Sequence, residues 1–312
     1  MFLRGQYGTI KGSELLFFVE SRCPMEQVIP YILLACAVLL ETAKTVFSNN
    51  FSKRVLTTET DIYKFNTFMY LGSFLVLCCC GKSPVSVFTC ITAFLFAVCI
   101  WLNQYCFLKA LKIGPMSFVT FIQGTSLLVP IVYGVFMWKE RITLWQVIWL
   151  VVLLIGMALS LDLRREKGNG KWILFAFGAM LFMGGIGILQ TTHQTSVHRG
   201  ELISFLRLAF LFTVGINFIG WRIGERKVPA CFKMKSSATP MAAASGVCMG
   251  VVHIFSLYLS GVLPKVVFFP VANGGLIFIT MIAALIFFKE RFSVKQWIGF
   301  FIGTIALSVI GL

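Results

Sequence analysis

Charge is what this chain has least of. Only 12% of its 312 residues are Asp, Glu, Lys or Arg, against about 25% in an average soluble domain. Too few charges are present to coat a soluble surface. Long polar connections are missing as well: the longest are Asp162–Gly170 and Arg222–Ser237, so no stretch remains for a separate soluble domain. The sequence has no Walker lysine loop, no GxGxxG after a strand, no GxSxG elbow and no HExxH, which excludes the phosphate-loop, dinucleotide, hydrolase and zinc-protease chemistries those motifs carry. The ten cysteines, including the run Cys78–Cys79–Cys80, form no CxxC pair and no Cys/His cluster of metal-ligand spacing. No metal or cofactor is therefore expected, and the thiols read as packing residues.

What is present is apolar: 58% of the residues are hydrophobic. A membrane-spanning helix needs ~20 mostly apolar residues, and ten such segments follow one another at roughly 27–48, 62–80, 87–108, 114–138, 143–161, 171–192, 202–221, 239–260, 265–288 and 294–312. Backbone polar groups facing lipid must be satisfied within their own segment, so these are helices. Residues 1–24 are read as an extension outside the fold, with Met25 a candidate start. The net charge of +15 does not point to nucleic acid, because the basic residues punctuate the apolar runs. Seventeen of the 27 Lys and Arg fall on the face of the loops after spans 1, 3, 5, 7 and 9, and eight on the other. The positive-inside rule makes the first face cytoplasmic and puts both termini outside.

An internal repeat organises the segments. Lys139-Glu140-Arg141 recurs as Lys289-Glu290-Arg291, and the same shift of 150 matches Gln146 with Gln296, Ile148 with Ile298 and Ile155 with Ile305. Pro115 and Pro264 open the preceding spans, one residue out of that register. Each half has an odd number of spans, so the halves enter the membrane from opposite sides. Inverted repeats of this kind build many secondary transporters, with the solute held near the midplane.

The Lys-Glu-Arg junctions, the segment Ala110-Leu-Lys-Ile-Gly-Pro115 and the five-plus-five layout resemble the drug/metabolite transporter superfamily, in its ten-span EamA-like branch, over roughly residues 27–312. The resemblance implies an all-α integral membrane fold of ten transmembrane helices as two inverted five-helix repeats, 25–161 and 162–312. It also implies secondary transport of a small organic solute; family members move amino acids, nucleotide sugars, sugar phosphates or other metabolites, and the resemblance selects none. Leu40-Glu41-Thr42-Ala43-Lys44-Thr45 is further similar to the stretch of the four-span small multidrug resistance relatives that carries a proton-binding carboxylate. Lys44, three residues on, departs from that pattern and is placed to neutralise Glu41.

Glu41 is the one acidic residue well inside an apolar span, where an ionisable group costs ~2.5–3.5 kcal/mol. It is either a coupling or solute-binding carboxylate, or half of a structural ion pair with Lys44 or Arg207. Arg207, five residues into span 7, suits an anionic solute group or snorkels to the interface; Lys265 reads as an interface anchor. Spans 4 and 9 are interrupted at matching places, Gln123-Gly124 falling on Asn273-Gly274 at the shift of 150, with Pro130 and Pro270 nearby. Paired interruptions of this kind point to a transport site or to packing kinks. Asn103, Gln104, Gln190, His193, Asn217 and His253 are further embedded polar residues, each a cavity ligand or an interhelical hydrogen bond. Gly246 with Gly250, and Gly299 with Gly303, offer small-residue faces for packing within the bundle or for a homodimer contact.

The expected function is a secondary transporter of an amino-acid-like or other metabolite, working by alternating access, in the export direction and proton-coupled through Glu41. A nucleotide-sugar or sugar-phosphate antiporter is the alternative within transport, and a non-transporting assembly or lipid-handling protein the alternative outside it. The expected partners are a small-molecule solute and the lipid bilayer, in a bacterial inner membrane.

Overall fold

The computed structural model describes residues 24–81, 84–129, 133, 136, 143–160, 170–226, 238–262 and 265–309. These form ten α-helices and no strand: α1 (Pro24–Arg54), α2 (Glu59–Cys78), α3 (Val87–Ile113), α4 (Met116–Gly124), α5 (Leu144–Ser160), α6 (Lys171–Thr195), α7 (Leu202–Glu225), α8 (Ala238–Val262), α9 (Lys265–Phe288) and α10 (Val294–Val309). Short 3-10 turns extend α4 (Thr125–Leu127) and precede α7 (Arg199–Glu201). The extension 1–23, the first Lys-Glu-Arg junction at 139–141, Pro130, Pro264 and the loop 162–169 lie outside the described residues.

Local chemistry sets the helix ends. Asp61 Oδ2 accepts the backbone N–H groups of Thr57 (3.1 Å) and Thr58 (2.9 Å) and so starts α2. Ser86 Oγ accepts the N–H of Thr89 (3.2 Å) at the head of α3. Gly114-Pro115 separates α3 from α4, because proline disfavours helical backbone in the residue before it.

Two buried cores form, and each draws on both halves of the chain. The first gathers Leu111, Val119, Phe121, Ala176, Ile277 and Phe300 from α3, α4, α6, α9 and α10. The second gathers Phe65, Tyr70, Phe96, Phe205, Phe210 and Ala242 around α2, α3, α7 and α8. Along their lengths α1 packs on α8 and α9, α2 on α7 and α8, α3 on α6 and α7, α4 on α6 and α9, and α5 on α10. Large apolar side chains such as Leu174 and Leu181 of α6 and Ile219 and Ile223 of α7 face outward, as lipid-facing surfaces do.

Among the described residues, five stretches meet the length and composition of a membrane crossing: Val28–Arg54, Val87–Ile113, Lys171–Gln190, Arg199–Glu225 and Ala238–Ser256. Val147–Gly156 and Gly274–Phe288 are shorter apolar stretches. Helix α2 carries Asp61, Lys64 and Asn66 in its first two turns, which dilute its apolar content. Helix α4 ends at Gly124 and tightens into the 3-10 turn, so the interruption expected in span 4 is a change of backbone, whereas the matching one expected in span 9 is absent: α9 runs as one helix from Lys265 to Phe288, through Pro270 and Asn273-Gly274. Cys78 and Cys79 are exposed at the end of α2 rather than packed.

The glycine faces are used inside the bundle. A Cβ on Gly246 would run into the carbonyl of Met69, and one on Gly250 would stand 2.9 Å from Val76 Cβ, so α8 crosses α2 at backbone contact. On α5, a Cβ at Gly156 would lie 2.8 Å from Gly303 N and 3.0 Å from Gly299 O of α10.

Candidate functional site

The candidate residues fall into two groups on different helices. The first is built on α1. Lys44 Nζ bonds Glu41 Oε1 within one helical turn, the two side chains 13% and 23% exposed. Their i, i+3 spacing puts both heads on one face, and that face belongs to a helix laid against α8. His253 Nδ1 pairs with the carbonyl of Met249 one turn earlier (2.8 Å) and its ring meets Phe210 edge-on (5.3 Å). The Nδ1 bond leaves Nε2 as the nitrogen available to other partners.

The second group joins α3, α4 and α6. Asn103, buried, donates from Nδ2 to the carbonyl of Ala179 (2.7 Å), while its Oδ1 accepts from Gln123 Nε2 (3.4 Å). Gln104 turns the other way, toward Met69 Sδ at 4.0 Å. Next to Gln123, a Cβ on Gly124 would meet Ile277 Cδ1 of α9 at 2.8 Å, so α4 and α9 touch at the broken turn. Gly274 is buried, and Gly275 faces Val38 of α1, 3.6 Å from where a Cβ would stand. The side chains of Asn273 and Lys265 lie outside the described residues; Gln190 is half-buried on α6. The shift of 150 that pairs Gln123 with Asn273 also pairs Asn103 with His253.

Arg207 is placed elsewhere. Its Nη2 donates to the carbonyls of Cys80 (2.9 Å) and Gly81 (2.7 Å) and approaches that of Leu77 (3.4 Å), the free acceptors at the end of α2. The guanidinium is a cap on a neighbouring helix, not a partner of Glu41. Asn217 bonds within α7, Nδ2 to the carbonyl of Thr213 (2.8 Å).

Three clusters were not legible as sites. Glu201 collects Ser86 N–H (2.8 Å), Ser86 Oγ (2.8 Å), Thr89 Oγ1 (2.5 Å) and His198 Nδ1 (3.1 Å), and Thr89 Oγ1 also meets His193 Nε2 at 3.0 Å. This knot fastens the start of α3 to the end of α6 and the start of α7. Glu290 accepts the N–H of Met116 (2.6 Å) and the hydroxyl of Ser117 (2.5 Å). Ser48, Asn49 and Ser52 of α1 and Asn66 of α2 are fully buried, and their side-chain polar atoms have no partner among the described residues. The stack of Phe51 on Phe65 at 4.1 Å sets these stretches of α1 and α2 at one level. Ser48, Asn49 and Ser52 stand at or past the end of the first apolar run, where polar residues read as a loop, and a single Asn such as Asn66 is common in spans.

Among the described residues no group of three or more His, Cys, Asp or Glu could hold a metal ion. Residues 28–161 match the model of the EamA-like transporter family, as the resemblance to the drug/metabolite transporter superfamily implies. No curated protein matches the chain. A solved crystal structure, described only as that of a protein, is similar with a TM-score of 0.59 at 12% identity, over 90% of this chain and 96% of the other. At that identity the likeness is one of fold alone. The family match and the apolar helices indicate an integral membrane protein, and the match suggests a membrane transporter of the drug/metabolite type, whose partners are a small solute and membrane lipid.

Proposed function

We propose that this chain is a secondary active transporter that exports a small amino-acid-like metabolite by alternating access of two inverted halves, 25–161 and 162–312, in a bacterial inner membrane. One observation carries the reading: an ion pair, Glu41 with Lys44, is held inside an apolar helix that packs on α8 and α9 of the other half. An embedded pair of opposite charges is costly to retain without a use. It offers a zwitterion both of the groups it needs, Lys44 for a carboxylate and Glu41 for an ammonium. A proton delivered to Glu41 releases Lys44, which couples proton movement to solute occupancy.

The two-halves reading is supported by which helices touch. Exchanging each helix with the one five places on turns α1–α8 into α6–α3, α2–α8 into α7–α3 and α1–α9 into α6–α4, all of them observed contacts. The pairs α2–α7, α4–α9 and α5–α10 map onto themselves. The solute then lies between Glu41, Lys44 and His253 on one side and Asn103, Gln123 and Gly124 on the other. Commitment of Arg207 to the end of α2 supports an amino-acid-like solute over a phosphorylated one, since it removes the best phosphate ligand.

The test is a thermal-shift screen of a metabolite library on purified protein, followed by flux of the hits in proteoliposomes with an imposed pH gradient. Zwitterionic amino acids should stabilise the wild type and not Glu41→Gln. No shift and no flux for any candidate, with the helical fold intact, would sink the reading.

A further inference from the structure

The contact between the second Lys-Glu-Arg junction and the head of α4 spans 174 residues of sequence. Glu290 follows Lys289, whose φ of 52° is the one positive value outside glycine among the described residues. A lysine in that region is strained, and the bend turns Glu290 back toward the bundle. Its two oxygens take the free N–H groups at the start of a helix, Met116 at 2.6 Å and Ser117 at 3.4 Å, and the Ser117 hydroxyl at 2.5 Å. Such charge-assisted bonds to helix N-termini are among the stronger ones available. Phe292, two residues on, lays its ring edge-on against Phe118 (5.8 Å). Together they bind the α9–α10 turn over the head of α4. The end of α1 comes to the same place, Lys53 Nζ standing 5.8 Å from the centre of the Phe288 ring.

The helices joined here, α1, α4 and α9, also carry buried polar atoms with no partner among the described residues. Thr120 is buried one turn further along α4 from Ser117, Thr280 is buried on α9, and Ser48, Asn49 and Ser52 fill the stretch of α1 between Lys44 and Lys53. Leaving a buried polar group unpaired costs about 1–3 kcal/mol. A second conformation that wets them recovers that cost.

We propose that Glu290 is a gate: its clasp on α4 closes the basic-face end of the solute path in this conformation, and its release opens the Ser48–Asn49–Ser52 and Thr120 region to water. The gate rests on the transporter reading, but its test needs no solute. In a cysteine-free background with Asn49→Cys, the rate of N-ethylmaleimide labelling of the reconstituted full chain is compared with and without Glu290→Gln. Loss of the charge is expected to speed labelling on the order of tenfold, Glu290→Asp to stay near the parent, and Ser117→Ala, which removes one of three donors, to give a smaller increase. Unchanged labelling in Glu290→Gln, or in Ser117→Ala should Glu290→Gln not be recovered folded, would overturn the gate even if flux is seen. Faster labelling without flux of any solute would uphold the gate and count against the transport reading alone.

Discussion

The guanidinium of Arg207 on α7 sits 2.7 Å from the carbonyl oxygen of Gly81, just past the end of α2. Its Nε is buried without a partner, so the group is held for its Nη2 bonds. Removing it leaves three carbonyls at a helix end without a cation. Hydrogen bonds to charged groups contribute about 1.5–3 kcal/mol each. Arg207→Leu should therefore lower the melting temperature in detergent, and Arg207→Lys should recover part of the loss. A melting temperature unchanged in Arg207→Leu would show that the cap contributes nothing.

The Glu41–Lys44 pair predicts a non-additive pattern. Lys44→Met leaves a carboxylate unpaired inside an apolar helix, at a cost of ~2.5–3.5 kcal/mol for a charge at a helix centre. The double variant Glu41→Gln/Lys44→Met removes both charges and should be more stable than Lys44→Met alone. Thermal unfolding of the three proteins in one detergent decides it. A double variant no better than the single would mean that the charges do not see each other.

The crossing of α2 and α8 is fixed by Gly246, where any side chain runs into the Met69 carbonyl. Overpacking typically costs 1–3 kcal/mol, and here the obstacle is backbone, which cannot rotate away. Gly246→Val should express poorly or melt earlier. Gly215→Ala on α7 is the control, since nothing lies within 4 Å of its added Cβ. Melting curves of the purified variants, with Gly215→Ala at or above wild type, check this. Equal stability of both variants would contradict the close crossing.

His193 lies beyond the apolar stretch that ends at Gln190. Burial pushes its imidazole below the ordinary 6.5, against the pull of nearby Glu201 and with the push of His198. Its Nδ1 is buried without a partner, so protonation would bury an unpaired charge. The folded state prefers the neutral ring. The stability this contributes is complete above 6.5 and is lost as pH falls through the lowered folded value. The melting temperature should fall on acidification below 6.5 more steeply in the wild type than in His193→Gln. Parallel curves for the two proteins would remove His193 from the account.

Much of the helical layout was legible in advance. Lengths of apolar runs set where the helices lie, because lipid leaves no other way to satisfy a backbone. The break after Gln123 was announced by Gly124-Thr125-Ser126, and the structure places a 3-10 turn there. The oddity of Arg207 in an apolar run was visible, but not its partner, since the carbonyls of Cys80 and Gly81 carry no residue-specific signal. Glu290 stood in plain view as part of a repeated tripeptide, and nothing in the spelling of that tripeptide said that it would reach Met116. Asn49 escaped because the first apolar run of the sequence ends near residue 48, whereas the helix continues to Arg54, and Asn66 because one polar residue in a span looks alike whether it is paired or not.

By itself, the sequence determined that this is a helical membrane chain, which residues carry embedded charge, and that Lys44 stands one turn from Glu41. All of these depend on composition and on spacing along one helix, which the 3.6-residue period makes local. Tertiary structure alone decided that Asn103 meets Gln123, that α1 lies against α8, and that Glu290 holds the head of α4. Those are meetings between segments far apart in the chain, and helix-to-helix docking selects them through backbone contact at glycines and the filling of two shared cores.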